Sequence, residues 1–220
     1  MNGYYLALSI LTLIFFSVAV MEIILAQKKL HKLRWFTKPL LIPFIIVLYL
    51  LQTSEIAGYL LGGLFAGWIG DLFLLSEAKK TSITGFFFFF LGHILYCLAF
   101  IQGLSLPTSL SIELFAGILL FAGLIIILMM KIGVIDPTLY FPAGSYVIVL
   151  GAMGFSAYYR FISIPGFTPA LTLAGALLFI ASDIILSYSI IRRLVHSQAL
   201  VMSTYIVAQI LIVTGMLAGV

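Results

Sequence analysis

The stretch GLFAGWIGDLFLLSEAKK, residues 63–80, decides how this chain is read. It sets one carboxylate, Asp71, inside an apolar run that ends at the pair Lys79-Lys80. A charge held at membrane depth is costly, so an acid there points to function by default. The pattern returns as GALLFIASDIILSY, residues 175–188, with Gly175 and Asp183 eight positions apart, like Gly63 and Asp71. A shift of 112 residues superposes the two acids and lays His93 on Tyr205. The chain therefore reads as two related halves, each placing an acid near a polar ring in the next helix.

Composition sets the solvent. Of 220 residues, 8% are charged and 64% hydrophobic, with a mean hydropathy of +1.28. Globular domains carry roughly 25% charge, and a soluble core has no room for this much apolar surface. Backbone crossing lipid must satisfy its own hydrogen bonds, and long apolar runs rather than ten-residue alternation select helices. The single cysteine, Cys97, excludes an internal disulfide and a cysteine-based metal site, and it reads as a small packing residue. The net charge of +4 does not mark a nucleic-acid binder, because the basic residues flank apolar runs as membrane topology requires.

About eight spans follow, near 3–26, 38–52, 56–75, 83–101, 109–130, 138–159, 168–190 and 199–219. The first is too long for a signal peptide, lacks a basic start and leads into a basic loop instead of a cleavage site. Connections are short and hold polar residues or breakers: residues 52–55, Pro107, Asp136-Pro137 and Pro165-Gly166. The expectation is all-α: one integral membrane domain over residues 1–220, a polytopic bundle of two parallel four-helix repeats. Pro43 is placed to kink or tilt the second span. Phe86 to Phe90 reads as lipid-facing and packing bulk, and Glu22 as snorkelling or paired with a loop lysine.

Orientation comes from Lys and Arg. Alternate loops carry Lys28, Lys29, Lys32, Arg34 and Lys38, then Lys79 and Lys80, then Lys131, then Arg192 and Arg193; only Arg160 of the eleven lies opposite. With an even span count, both termini face away from the cytoplasm. Asp71 then falls near the cytoplasmic end of the third span and Asp183 in the cytoplasmic half of the seventh. His93 and Tyr96 lie near mid-depth on the fourth. Lys38 opens the second span, Tyr140 and Tyr146 lie on the sixth, and Tyr205 with Gln209 occupies the inner half of the eighth. Parallel repeats can bring the two acids face to face across a central cavity.

These residues carry a resemblance. Thr37-Lys38-Pro39 opens the second span and Gly70-Asp71-Leu72-Phe73-Leu74 closes the third. Gly85 and Gly92-His93 with Tyr96 follow, then Tyr146 with Met153 and Ala157. Gly175-Ala176-Leu177-Leu178-Phe179 with Ser182-Asp183, and Tyr205 with Ala208-Gln209, complete the set. Taken in order over residues 37–213, the pieces resemble the YhhN family, which includes the TMEM86-type lysoplasmalogenases. Tyr140 and Tyr146 both remain candidates for the family's tyrosine. The resemblance implies a multipass hydrolase that cleaves the vinyl-ether bond of lysoplasmenylethanolamine or lysoplasmenylcholine. The products are a fatty aldehyde and glycerophosphoethanolamine or glycerophosphocholine. It implies a lysophospholipid partner drawn from membrane lipid and a bacterial inner-membrane location.

Vinyl-ether hydrolysis begins with a proton on the alkene carbon, giving an oxocarbenium ion that captures water. Two carboxylates in unlike environments supply the acid and the base, as in glycoside hydrolysis. The catalytic candidates are Asp71, Asp183 and His93, with Asp183 favoured as acid, Asp71 as base, and His93 open to either role. The substrate-binding candidates are Lys38, Tyr96, Tyr146, Tyr205 and Gln209, with Lys38 suited to a lipid phosphate. No cofactor is expected; a metal centre on Asp71, His93 and Asp183 lacks a second convincing histidine. Two readings compete: the acids as interhelical hydrogen-bond partners, or the cluster as the proton relay of a small-solute or lipid transporter. The charge bias makes its own prediction: a reporter fused after Val220 is active only outside the cytoplasm, and cytoplasmic activity overturns the orientation.

Overall fold

The computed structural model describes residues 2–76, 79–105, 111–132, 140–191 and 198–217. These fold into eight α-helices: α1 (Asn2–Gln27), α2 (His31–Gln52), α3 (Gly58–Leu74), α4 (Lys79–Ile101), α5 (Ile112–Ile132), α6 (Tyr140–Ser163), α7 (Phe167–Ile191) and α8 (Gln198–Met216). Seven are long and apolar enough to cross a membrane, and α3 is a shorter apolar helix of 17 residues. The expected all-helical polytopic bundle is what the chain forms, and many large apolar side chains, such as Leu13, Phe36, Phe87 and Leu120, are exposed on it. Loops with Pro107, Asp136-Pro137 and Arg192-Arg193 lie outside the described residues, as do the side chains of Lys79, Lys131 and Tyr140.

The second helix differs most from expectation. It begins at His31, not at residue 38, so Arg34 and Lys38 are helical rather than loop residues. Its buried side chains are Arg34, Thr37, Lys38, Leu41, Ile42, Ile45 and Tyr49, the three- and four-residue spacing of one helix face. Leu33, Trp35, Phe36 and Leu40 face outward. The first two turns are thus inverted, polar toward the bundle and apolar toward lipid, and a hydropathy reading takes such a stretch for a loop.

Pro39 and Pro43 both lie inside this helix. Pro43 has no N–H to give the carbonyl of Pro39 four residues back. Trp68 Nε1 on α3 donates to that carbonyl at 2.8 Å, so the missing backbone bond becomes a tie between α2 and α3.

The helix pairings repeat between halves. Helices α3 and α4 pack closely, as do α7 and α8; α1 with α2 is matched by α5 with α6, and α2 with α3 by α6 with α7. Helix α2 also meets α8, and α6 correspondingly meets α4, so each half closes against the other. Small residues permit the closest approaches, as expected between helices in lipid. Pro165-Gly166 turns the chain from α6 into α7, with Gly166 at φ +135°, a conformation that L side chains rarely adopt.

Gly175 supplies a test of this packing. A Cβ there would lie 2.8 Å from the Ile212 backbone nitrogen and 2.9 Å from the Ala208 carbonyl oxygen. Gly175→Ala should therefore cost about 1–3 kcal/mol of unfolding free energy in detergent. Gly123→Ala, with nothing within 4 Å of the new methyl, should be neutral or gain up to about 1 kcal/mol. Equal stability of the two variants would contradict the observed α7–α8 contact.

Candidate active site

Both repeated acids are buried, and each is held from both halves of the chain. Asp71, on the fourth turn of α3, takes an ion pair from Lys38 Nζ on α2 at Oδ1, 2.9 Å away. Its Oδ2 accepts the hydroxyl of Tyr205 on α8 at 2.7 Å. Asp183 on α7 accepts the hydroxyl of Tyr146 on α6 at 2.5 Å. His93 Nε2 on α4 approaches the same Asp183 oxygen at 3.2 Å. Each acid therefore takes a polar ring from the opposite half, where the sequence pattern suggests the next helix. The two rings that the 112-residue shift superposes, His93 and Tyr205, have exchanged acids.

The acids do not face one another across open space. Phe179 stands between the two clusters, its ring centroid 4.9 Å from that of His93, 5.3 Å from Tyr205 and 6.1 Å from Tyr96. Phe89 packs edge-on against both Tyr205 and Phe179. Tyr96 donates to Gln209 Oε1 at 2.7 Å, joining α4 to α8 beside the same rings. All eight candidate side chains thus enter one connected region. Tyr146 is half-buried there and the other seven are buried.

Hydrogen-bond geometry fixes where protons sit. His93 Nδ1 lies against the Phe89 carbonyl, which can only accept, so Nδ1 carries a hydrogen. A neutral ring would then turn the Nε2 lone pair toward a carboxylate. Nε2 is within ion-pair distance of Asp183 but out of line for a hydrogen bond, so it stays open to a third group. Asp71 is placed otherwise: a lysine ammonium and a tyrosine hydroxyl are both donors, and its carboxylate has only to accept.

Several residues stand apart from the sequence reading. Lys38, expected near a lipid phosphate, is buried with its ammonium on Asp71. Glu22 does not snorkel: it is fully buried, bonded to Arg34 Nε at 2.8 Å and to Thr37 Oγ1 at 2.5 Å. Arg34 reaches on to Gln198 Oε1 at 2.5 Å, so this cluster fixes the turn that aims Lys38. Arg160 is buried as well, donating to the Phe100 carbonyl at the C-terminal end of α4 at 3.5 Å, where a cation complements the helix dipole. Phe89 and Phe179 stand beside the acids, a place sequence reasoning missed although Phe179 closes the motif at 175–179. Phe89 lay unmarked in the run 86–90, where Phe87 alone of its immediate neighbours is as exposed as lipid-facing bulk should be. Among the described residues no three His, Cys, Asp or Glu side chains converge as a metal site requires.

The buried ion pair can be tested apart from any reaction. Lys38→Met strands the Asp71 charge and should cost about 3–5 kcal/mol of unfolding free energy. Adding Asp71→Asn should return most of that loss, because the stranded charge is gone. Additive losses in the double variant would show that the pair is not formed.

Known proteins offer two kinds of likeness. A family model described as the YhhN family matches residues 33–216, a stretch holding every residue of both clusters and leaving out all of α1. The chain is 31% identical over 171 residues to a protein of Bos taurus named lysoplasmalogenase TMEM86A, covering 74% of this chain and 66% of the relative. It is 30% identical over 156 residues to the Homo sapiens protein of that name, covering 68% and 61%. The chain thus spans just under two thirds of the length of these curated relatives. No solved structure matches it.

Proposed function

This chain belongs to the YhhN family, and from that premise we propose that it is a membrane hydrolase of the vinyl-ether bond of lysoplasmalogens. The observation that carries the proposal is the unlike partnering of two acids in one buried region. Asp71 is ion-paired with Lys38, while Asp183 accepts from Tyr146 and faces the imidazole of His93. Acid–base cleavage needs one group that accepts and one that donates, set apart by environment.

In this reading the His93–Asp183 pair delivers its proton to the alkene carbon distal to the ether oxygen. The adjacent carbon becomes an oxocarbenium centre. Asp71 removes a proton from the water that adds there, giving a hemiacetal. The hemiacetal hydroxyl proton then returns to His93–Asp183, and Asp71 gives its proton to the departing glycerol oxygen. The carbon–oxygen bond breaks to fatty aldehyde and glycerophospho-alcohol, and both groups end as they began. Phe179 and Phe89 line the interval between the acids. Aromatic faces suit both an alkenyl chain and a transient cation. Lysoplasmenylethanolamine and lysoplasmenylcholine are the proposed substrates, following the names of the relatives. The ten-to-one charge bias supports an orientation with the site in the cytoplasmic half, and a bacterial inner membrane is the proposed location.

Purified protein supplied with lysoplasmenylethanolamine should release free aldehyde. Asp71→Asn and Asp183→Asn should each lose about 10²–10⁴-fold in turnover while extracting and migrating like wild type. The double variant should be little worse than the poorer single one, since groups acting as a unit are not additive. Folded single variants with wild-type aldehyde release would leave the two acids a purely structural role.

A further inference from the structure

Gly67 lies one turn before Asp71 on the buried face of α3. Helical side chains lean toward the helix N-terminus, so the Asp71 carboxylate leans over this glycine. A Cβ on Gly67 would meet the Tyr205 hydroxyl at 3.6 Å, Gln209 Nε2 at 3.8 Å and the Phe89 ring at 4.0 Å. Those are ordinary contact distances. At Gly63 and Gly70 of the same helix, a Cβ would come within 2.9 Å of the Tyr96 and Phe89 rings. Packing accounts for glycine at 63 and 70; at 67 an alanine would fit.

A second observation concerns what surrounds that position. Gln209 is 0% exposed. Its Oε1 is occupied by Tyr96, but its Nε2 has no hydrogen-bond partner. Tyr205 lies beside it, close enough to engage one of the two amide N–H groups, and its own hydroxyl donates to Asp71, which leaves the other N–H open. A buried amide N–H with no acceptor is unfavourable to leave so. An open donor and a missing side chain thus meet at one point, one turn before a carboxylate with lone pairs to spare.

We propose that the cradle over Gly67 binds the water that attacks the oxocarbenium carbon, an assignment resting on the hydrolase reading above. The water oxygen accepts from Gln209 Nε2 and donates one hydrogen to Asp71. On attack, an oxygen lone pair forms the new bond to carbon. One water proton passes to the Asp71 carboxylate, and the other remains on the hemiacetal hydroxyl. No electrons are exchanged and no further reactant is needed. A methyl group at position 67 would take the place of that oxygen while leaving the helix packing alone.

The test pairs Gly67→Ala with Gly58→Ala, a control on the same helix where a Cβ meets nothing within 4 Å. Gly67→Ala should lose about 10²-fold in kcat, with KM within about twofold and an unfolding temperature equal to that of the control. Wild-type kcat in Gly67→Ala would overturn the assignment. The second measurement needs no substrate: a wild-type structure in lipid nanodiscs that resolves waters. A single oxygen should stand about 2.7–3.2 Å from Gln209 Nε2 and be lost in Gly67→Ala. Its absence from wild type, or its persistence in a slowed Gly67→Ala, refutes the site. An oxygen found there in a protein that releases no aldehyde from lysoplasmalogen upholds the water site and overturns the substrate instead.

Discussion

A carboxylate removed from water needs partners for its charge, and every other feature of this bundle is arranged around giving two of them theirs. Asp71 draws Lys38 from its own half and Tyr205 from the other. Asp183 draws Tyr146 from its own half and His93 from the other. Separating the halves would leave each acid with a single donor. Removing one partner of a buried charge typically costs several kcal/mol, more than a helix–helix hydrogen bond in lipid is worth. The close packing of α3 on α4 and α7 on α8 brings the rings within reach, and the exchange of rings locks the two halves together.

The frame is symmetric and the chemistry is not. Helices α2 and α6 occupy equivalent places, yet one offers a lysine and the other a tyrosine. The positions equivalent by the 112-residue shift carry His93 and Tyr205. One acid therefore meets a permanent cation and a neutral donor, while the other meets a neutral donor and a ring that can take or release a proton. The repeated helix pairing supplies like frames, and the side chains set within them differ.

Much of this was legible in the chain because membrane solvation makes charge conspicuous. Asp71 and Asp183 announce themselves against an apolar background, and the eight spans follow from run length. Lys38 was visible as a residue but not as a partner, since the inverted amphipathicity of residues 31–38 looks like a loop until Glu22 and Arg34 are seen to meet inside. The exchange of His93 and Tyr205 was not legible, because sequence similarity records equivalent positions and not which copy a side chain turns toward. The placing of Phe89 and Phe179 escaped notice for the opposite reason to the acids. One more phenylalanine among 19 carries no signal of its own. Gly67 was hidden among its neighbours, because only the distances around it show that its lack of a side chain is not needed for packing.

The brevity of α3 has a consequence for the surrounding lipid. Seventeen residues span about 26 Å at 1.5 Å per residue, less than the roughly 30 Å of a typical hydrocarbon layer. Such a mismatch is met by local thinning of the bilayer, and outward-facing Tyr59 and Phe65 put part of α3 in contact with it. Asp71 stands three residues before the end of that helix. Thinning on that side would bring the headgroup layer closer to the depth of Asp71.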